Sequence, residues 1–266
     1  MLTKFTALVM GVLLSVSAMA ADMATADMAT LTRQAQSGGA VAQSDLADEY
    51  YQQGNHAKAF EWYTKAANQG EAEAQHNLGV MYYEGQGVRQ DYYKSVEWYT
   101  KAAGQGHAKA QFNLALMYAQ GDGVRQDYHK AFEWFTKAAN QGLAEAQFSL
   151  GVMYDEGQGV RQDYYKAFEW FTKAAHQGDA QAQYNLGVMH AQGLGVRQDY
   201  HKAFEWYTKA AHQGHAAAQS NLGAMYYNGH GVRQNKSTAK RYYGQACDNG
   251  NQPGCDNYRI LNEQGY

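Results

Sequence analysis

The sequence predicts an all-α protein, a right-handed α/α superhelical solenoid built from helix-pair repeats. Two observations in the 266-residue chain predict this fold. First, the tryptophans recur at a fixed interval, and a period of about 20–50 residues is the signature of a solenoid array. They are Trp62, Trp98, Trp134, Trp170 and Trp206. Second, the chain has a single proline and no long β-branched runs, which argues against an all-β fold.

The first 20 residues are typical of a secretory signal peptide. Lys4 precedes an apolar run of about twelve residues, and an Ala-Met-Ala sequence ending at Ala20 matches the small-x-small cleavage pattern. The run is too short for a comfortable membrane span. We therefore expect cleavage near Ala20, a short segment over residues 21–39, no stable membrane span, and a periplasmic or secreted location. An uncleaved anchor is the alternative.

Six repeats and a terminal helix follow in order. The first repeat covers residues 40–71, and five repeats of 36 residues cover 72–251. The half unit 252–266 is predicted to be a C-terminal capping helix. Each repeat contains two helical patterns; in the second repeat, Leu78 and Met81 belong to one apolar stripe of a 3.6-residue period. One repeat cannot bury its own stripe, whereas stacked neighbours can.

Cap residues mark the helix ends. In the five full repeats, the glycines of a GxGVRQ loop are predicted to end the first helix in a left-handed conformation. An aspartate is predicted to cap the second helix, at Asp91, Asp127, Asp163 and Asp199. Small residues are expected where helices approach closely, so that Gly151 meets Ala167. A Glu and a Lys four residues apart, beginning with Glu61 and Lys65, recur on the second helices and are predicted to pair.

The repeats share one consensus pattern. It reads A-x-A-Q-x-N-L-G-V-M-Y-x-x-G-x-G-V-R-Q-D-Y-x-K-A-F-E-W-Y-T-K-A-A. This pattern resembles the Sel-1-like repeat, a relative of the tetratricopeptide repeat with a longer loop between its helices. The resemblance covers about residues 40–260, although the first repeat lacks the GxGVRQ loop and resembles a plain tetratricopeptide unit. It implies an exported bacterial adaptor that holds a protein or peptide partner, and not an enzyme.

Cys247 and Cys255 are the two cysteines of the chain. In an oxidising compartment, two cysteines at this spacing are predicted to form a disulfide. A reactive or metal-binding thiol pair is the alternative, but it lacks a nearby histidine or a third cysteine. The resemblance adds that cysteine-rich bacterial members of the family bridge such pairs in every repeat, whereas only the last repeat carries one here.

Positions that vary between repeats are candidates for partner binding, because repeated packing demands the same residue elsewhere. They fall largely on the first helix of each repeat, and the resemblance places this face in a concave groove. The fifth residue of that helix gives what we call the aromatic strip: His76, Phe112, Phe148 and Tyr184. The second and twelfth residues add Glu73, Lys109, Tyr83, Asp155 and Tyr227. Such a strip suits a peptide or extended segment; the alternative is that the aromatics only pack between adjacent repeats.

One arginine recurs in every GVRQ loop. We call this set the arginine ladder: Arg89, Arg125, Arg161, Arg197 and Arg233. The loop lacks the preceding strand and third glycine of a dinucleotide fingerprint, and the Gly-Lys-Ser/Thr of a P-loop, so it is predicted to be a connector. The ladder is a candidate for binding an anionic polymer or lipid headgroups. The alternative is that its guanidinium groups bond loop carbonyls and nearby carboxylates.

Three other functions have weaker support. Ser237 and Lys240 match the S-x-x-K motif of penicillin-recognising enzymes, and some cysteine-rich relatives have been described as β-lactamase-like, but no Ser-Asp-Asn or Lys-Thr-Gly accompanies the motif. β-Lactamase-like or penicillin-binding activity is therefore only an alternative. His176, His212 and His215 lack a further ligand at good spacing, so no metal and no cofactor are expected. The formal charge of −3 does not favour nucleic acid, and a monomer is expected.

Overall fold

A computed structural model of the chain describes residues 28–266, and all regular structure in that range is helical. The predicted signal peptide and the start of the segment 21–39 lie outside the described residues. The helices are α1 (28–36), α2 (Ala40–Gln52), α3 (His56–Asn68), α4 (Ala72–Glu84), α5 (Tyr92–Gly104), α6 (Ala108–Gln120), α7 (Tyr128–Asn140), α8 (Ala144–Glu156), α9 (Tyr164–His176), α10 (Ala180–Gln192), α11 (Tyr200–His212), α12 (Ala216–Asn228), α13 (Lys236–Asp248) and α14 (Gln252–Glu263). The predicted all-α fold is confirmed.

The chain divides into two compact units, the first ending at Gln90 and the second beginning at Asp91. In the first unit, α2 packs on α3 and α3 on α4. In the second unit, each first helix packs on the second helix of its own repeat, and each second helix packs on the first helix of the next. This succession of helix pairs confirms the predicted solenoid architecture. None of the helices over residues 28–266 has both the length and the apolar character needed to cross a membrane.

The core of the second unit repeats from one helix pair to the next. Between α9 and α10, Ala167 and Phe171 lie against Leu186 and Met189, and all four are at least 97 % buried. The small Ala167 side chain allows the two helices to pack closely, while the larger Phe171, Leu186 and Met189 side chains fill the space between them. Because three buried residues of each such cluster come from the next repeat, the helices are stabilised by their neighbours and not singly.

The predicted helix caps are observed. Gly157 ends α8 with φ of 71°, and its N–H bonds the carbonyl of Met153. Asp163 caps α9, its carboxylate accepting the backbone N–H of Lys166 at 3.1 Å. The same pair of caps recurs at each GxGVRQ loop of the second unit, with Asn235 in place of aspartate before α13.

The second glycine of the GxGVRQ loop has a packing role that the sequence did not reveal. At Gly159, with φ of +65°, an added Cβ would lie 2.2 Å from the carbonyl oxygen of Tyr128, the first residue of α7 in the preceding repeat. The same contact recurs in the second unit at Gly195. The loop is therefore a connector, as predicted, and it is also a contact between successive repeats.

The expected approach of Gly151 to Ala167 is not the closest one. An added Cβ at Gly151 would lie 2.5 Å from two ring atoms of Phe171, because the Phe171 side chain of α9 packs directly on α8. The equivalent position in α6 is Ala115, which is fully buried beside Phe135. One further prediction is mostly wrong: within residues 28–266 only one of the repeated Glu–Lys pairs is an ion pair, between Glu97 and Lys101 at 2.7 Å.

The lysines of these pairs lie over tryptophan rings, and Lys101 does so while it also pairs with Glu97. Lys137 Nζ is 3.7 Å from the ring centre of Trp134, and Lys173 Nζ is 3.6 Å from that of Trp170. The residue three positions before each lysine is a neighbour on the helix surface, and a cation–π contact with tryptophan competes with an exposed ion pair.

Buried glutamines join successive repeats. Gln147 of α8 is 6 % exposed, and its Nε2 donates to the carbonyl of Ala139 in α7 at 3.2 Å. Its Oε1 accepts from Gln177 Nε2 at 2.8 Å, and Gln177 also donates to the carbonyl of Gly142 at 2.9 Å. The network therefore satisfies a buried amide with groups from two adjacent repeats. It recurs through Gln111, Gln183 and Gln219.

The ends of the described chain differ from the repeats. Residues 28–36 form a helix that the sequence did not predict, and the carbonyl of Ala35 accepts from the buried Gln43 side chain at 3.0 Å. At the other end, α14 packs on α13. Cys247 of α13 and Cys255 of α14 have disulfide geometry, with Cα atoms 4.5 Å apart.

Candidate partner-binding surfaces

Three members of the aromatic strip lie at equivalent positions of α6, α8 and α10 in the second unit. Phe112, Phe148 and Tyr184 are each half-buried. Their ring centres lie 5.5, 5.7 and 5.8 Å from the buried ring that faces them in the second helix of the same repeat. One side of each ring therefore packs on the core, and part of each ring stays accessible.

The rings that face the strip change along the unit. Phe135 and Phe171 face Phe112 and Phe148, whereas Tyr207 faces Tyr184. Burial raises the pKa of the Tyr207 hydroxyl, and Tyr184 nearby adds to the shift. The middle of the strip is therefore purely apolar, and a phenol marks its end.

Tyr184 also contacts the residue that caps the first helix of the next repeat. Its ring stacks on His215 at 4.6 Å between centres. His215 caps α12: its Nδ1 accepts the N–H of Ala218 at 3.2 Å, and its Nε2 lies 3.2 Å from Gln181 Oε1. A ring that accepts at Nδ1 and donates at Nε2 is neutral, and burial lowers the pKa of His215. Tyr184 therefore packs both on Tyr207 of its own repeat and on the cap of the next first helix.

The remaining predicted groove residues differ in accessibility. His76 is only 8 % exposed, so it offers a partner little surface. Glu73 and Lys109 are exposed. Tyr83, Asp155 and Tyr227 are half-buried. Burial raises the pKa of the Asp155 carboxyl, and Glu156 adds to the shift.

The arginine ladder faces solvent. All five of its side chains are exposed. In the part of the chain that the structure describes, none of them forms an ion pair or a side-chain hydrogen bond, so the predicted alternative of bonds to carbonyls and carboxylates is not observed. The aspartates of the loops instead cap the second helices, as Asp127 does by accepting the N–H of Lys130.

The S-x-x-K residues are not arranged as a catalytic pair. Ser237 is exposed on α13. Lys240 Nζ donates to the carbonyl oxygen of Tyr266 and lies 5.5 Å from the ring centre of Tyr258. Among the described residues no hydrogen bond joins Ser237 Oγ to Lys240 Nζ, which is the contact through which a base activates a hydroxyl nucleophile.

The histidines singled out in the sequence serve separate local roles. His176 packs edge-on against Trp206, with ring centres 5.9 Å apart. His212 is exposed at the end of α11, and His215 caps α12.

Sequence reasoning missed a group of tyrosines at the start of the second helices. Gln126 Nε2 donates to Tyr128 Oη at 3.1 Å, and the same contact recurs between Gln162 and Tyr164 at 3.0 Å. The letters R-Q-D-Y, which recur in four of the five GVRQ loops, were the available signal.

Comparison with known proteins identifies relatives of this array. The family model of the Sel1 repeat matches residues 40–71, 72–107, 108–143, 144–179, 180–215 and 216–251. No curated protein sequence matches the chain.

The solved structures that are similar to the chain include two with more than 30 % sequence identity. The crystal structure of a protective antigen present in uropathogenic Escherichia coli strains, displaying an SLR fold, is 40 % identical with a TM-score of 0.86. The match covers 90 % of this chain and 52 % of the antigen, so the chain spans about half the antigen's length. A Sel1 repeat protein from Oxalobacter formigenes is 32 % identical with a TM-score of 0.75, and the match covers 80 % of this chain and 84 % of that protein.

Proposed function

The chain belongs to the Sel1 repeat family, whose tetratricopeptide-like scaffold is typical of protein–protein interaction. We propose that this protein is an adaptor that binds a protein or peptide partner along the aromatic strip. We further propose that it is exported, monomeric and not an enzyme. The observation that carries this proposal is the set of half-buried rings on three successive first helices, Phe112, Phe148 and Tyr184. Rings that are held on one side and accessible on the other provide a rigid apolar contact surface at low entropic cost.

The chemistry of the surface suggests what the partner offers. The strip is apolar at Phe112 and Phe148, while Lys109 and Gln181, one turn before the aromatic position, are exposed. We infer an extended segment that places apolar side chains on the rings and keeps polar groups toward the first turn of each helix. The accessible ring area is small, so binding depends on several repeats acting together.

The proposed export rests on two separate observations. The sequence begins with a typical signal peptide, and Cys247 and Cys255 have disulfide geometry. A disulfide persists in an oxidising compartment and is rare in the cytosol. Mass spectrometry of the protein purified from its native cell should find a mature chain that starts near Ala21 and contains the bond.

Selection of peptides tests the binding proposal. A random peptide library displayed on phage is selected against the mature protein, and the enriched peptides are measured by fluorescence anisotropy. We expect apolar peptides that bind the native chain and bind the Phe112→Ala/Phe148→Ala/Tyr184→Ala variant at least about tenfold more weakly, since an aromatic contact contributes about 1 kcal/mol beyond area burial.

Two controls keep the outcome interpretable. Tyr93→Ala/Tyr165→Ala removes two rings that are 78 % and 74 % exposed on second helices and should leave binding unchanged. Lys109→Glu alters an exposed residue of the surface without touching the core, so it should shift peptide preference even if the triple variant unfolds. Unchanged binding in a folded triple variant, as judged by circular dichroism, excludes the strip as the site.

The proposed lack of catalysis has its own test. Lys240 is held by the carbonyl of Tyr266, so we expect no hydrolysis of a chromogenic cephalosporin by the mature protein. Turnover that disappears in the Ser237→Ala variant would establish the enzyme alternative.

A further inference from the structure

Three clefts repeat along the arginine ladder in the second unit, and we call them the loop clefts. The first has a volume of about 760 Å³ and is lined by Arg125, Tyr128, His129 and Lys130, among others. The second and third, of about 550 and 470 Å³, lie at the corresponding residues of the next two repeats. The helix face that carries the aromatic strip does not contribute to them, so they form a separate surface.

Each loop cleft carries an excess of positive charge. It contains one arginine and one lysine but a single carboxylate. The Asp127 carboxylate is engaged by the N–H of Lys130 at 3.1 Å, and Lys130 Nζ lies 5.1 Å from the ring centre of Tyr118. Arg125 is exposed without an ion pair among the described residues. Its guanidinium is therefore available for an acid group of a ligand, which it can hold with two parallel bonds.

Each cleft also presents a tyrosine whose hydroxyl proton is available. Gln126 Nε2 donates both to the carbonyl of Ala119 at 2.7 Å and to Tyr128 Oη at 3.1 Å. Because Tyr128 Oη is the acceptor, its own O–H points to another partner. Tyr128 is 37 % exposed, so part of its ring is also accessible. The ring of Tyr200 is equally exposed but stacks on His230, with 4.8 Å between ring centres.

Because the same groups recur in each cleft, we expect a ligand whose own chemical groups recur along its length. We propose that the loop clefts bind acid-bearing sugar units along an acidic polysaccharide. A polypeptide rarely repeats one side chain at a fixed interval, whereas an acidic polysaccharide repeats a carboxylate and a sugar ring in every unit. The arginine suits the carboxylate, the tyrosine ring suits the apolar face of the sugar, and the tyrosine O–H suits a sugar hydroxyl.

Titration with a defined polymer tests this proposal. Oligomers of polygalacturonate are titrated into the mature protein by isothermal calorimetry, with dextran as the uncharged polymer and polyphosphate as an anion without sugar rings. We expect binding to polygalacturonate, weakened by added salt, and none to dextran. In Arg125→Gln/Arg161→Gln/Arg197→Gln, the affinity should fall on the order of tenfold, because three exposed charge contacts are lost together.

A matched variant separates the clefts from overall charge. Lys137→Gln/Lys173→Gln/Lys209→Gln also removes three positive charges, but from lysines that lie over tryptophan rings. This variant should change the affinity for polygalacturonate less than twofold. Equal losses in both variants, no binding of polygalacturonate, or equally tight binding of polyphosphate would each overturn the proposal. The aromatic-strip variant should bind polygalacturonate normally, so this test does not depend on the proposed function.

Discussion

Replacing the second glycine of a GxGVRQ loop should separate two repeats. In Gly159→Ala, the new Cβ would lie 2.2 Å from the carbonyl oxygen of Tyr128 and 2.5 Å from its carbonyl carbon. Both atoms belong to the backbone at the start of α7, so no side-chain rotation relieves the contact. A carbon and an oxygen in contact lie about 3.3 Å apart, so the loop and the helix must move apart by roughly 1 Å.

Two costs add up in this variant. An L-residue in the left-handed region costs about 1–2 kcal/mol, and overpacking at a well-filled contact costs about 1–3 kcal/mol. We therefore expect Gly159→Ala to lose about 2–5 kcal/mol of unfolding free energy. Gly142→Ala is the matched control, because Gly142 has φ of +92° but nothing within 4 Å of an added Cβ. It should lose only the conformational part, about 1–2 kcal/mol.

Urea titration followed by far-UV circular dichroism measures the difference. Repeat arrays can unfold in more than one step, so the midpoint and the slope of the transition are both compared with the native chain. Equal losses in Gly159→Ala and Gly142→Ala would refute the view that the loop is a packing contact between repeats.

Three further predictions concern the repeat junctions and the end of the array. Gln147→Leu should lower stability by about 1–3 kcal/mol in urea titration, because it leaves the partners of a buried amide unpaired; a neutral result would mean that water replaces the bonds. Burial lowers the pKa of both His190 and His215 below the ordinary value, so the unfolded chain binds protons more readily, and stability should decline as pH falls below about 6.5. Replacing them by residue types found at the same places in other repeats (His190→Tyr/His215→Asp) should flatten stability between about pH 5 and 7; an unchanged profile would place the protonation elsewhere. Cys247→Ser/Cys255→Ser should cost about 2–3 kcal/mol by loop entropy, with faster hydrogen exchange confined to α13 and α14; uniform exchange along the chain would contradict a local cap.

Much of the fold followed from the sequence because the repeat gives six independent views of one unit. Helix ends were predicted well, since a left-handed glycine such as Gly157 and a capping aspartate such as Asp163 act within a few residues of their own position. The Glu–Lys pairs were predicted poorly. Spacing along a helix allows Lys137 to reach either an acid or Trp134, and only the three-dimensional surface decides between them.

The candidate sites were likewise predicted in part from the sequence and decided in part by the tertiary structure. The sequence located the aromatic strip because its positions vary between repeats. It located the arginine ladder because the arginine is the same in every GVRQ loop. It did not show that His76 is buried while Phe112 is half-exposed, because burial depends on what the neighbouring helices bring to the position. The tyrosine of each loop cleft was also missed, since its role depends on a glutamine that holds its hydroxyl from the side.

The sequence by itself determined the helix-pair repeat, its period and its caps, because those features depend on local backbone preferences and on one apolar stripe repeated every 36 residues. Only the tertiary structure decided which atoms meet across the junctions: Gly159 against the Tyr128 carbonyl, and Gln147 between two repeats. The contacts of Gly159 with Tyr128 and of Gln147 with Gln177 join residues about 30 positions apart. Their geometry depends on how two helix pairs stack, which no local pattern encodes.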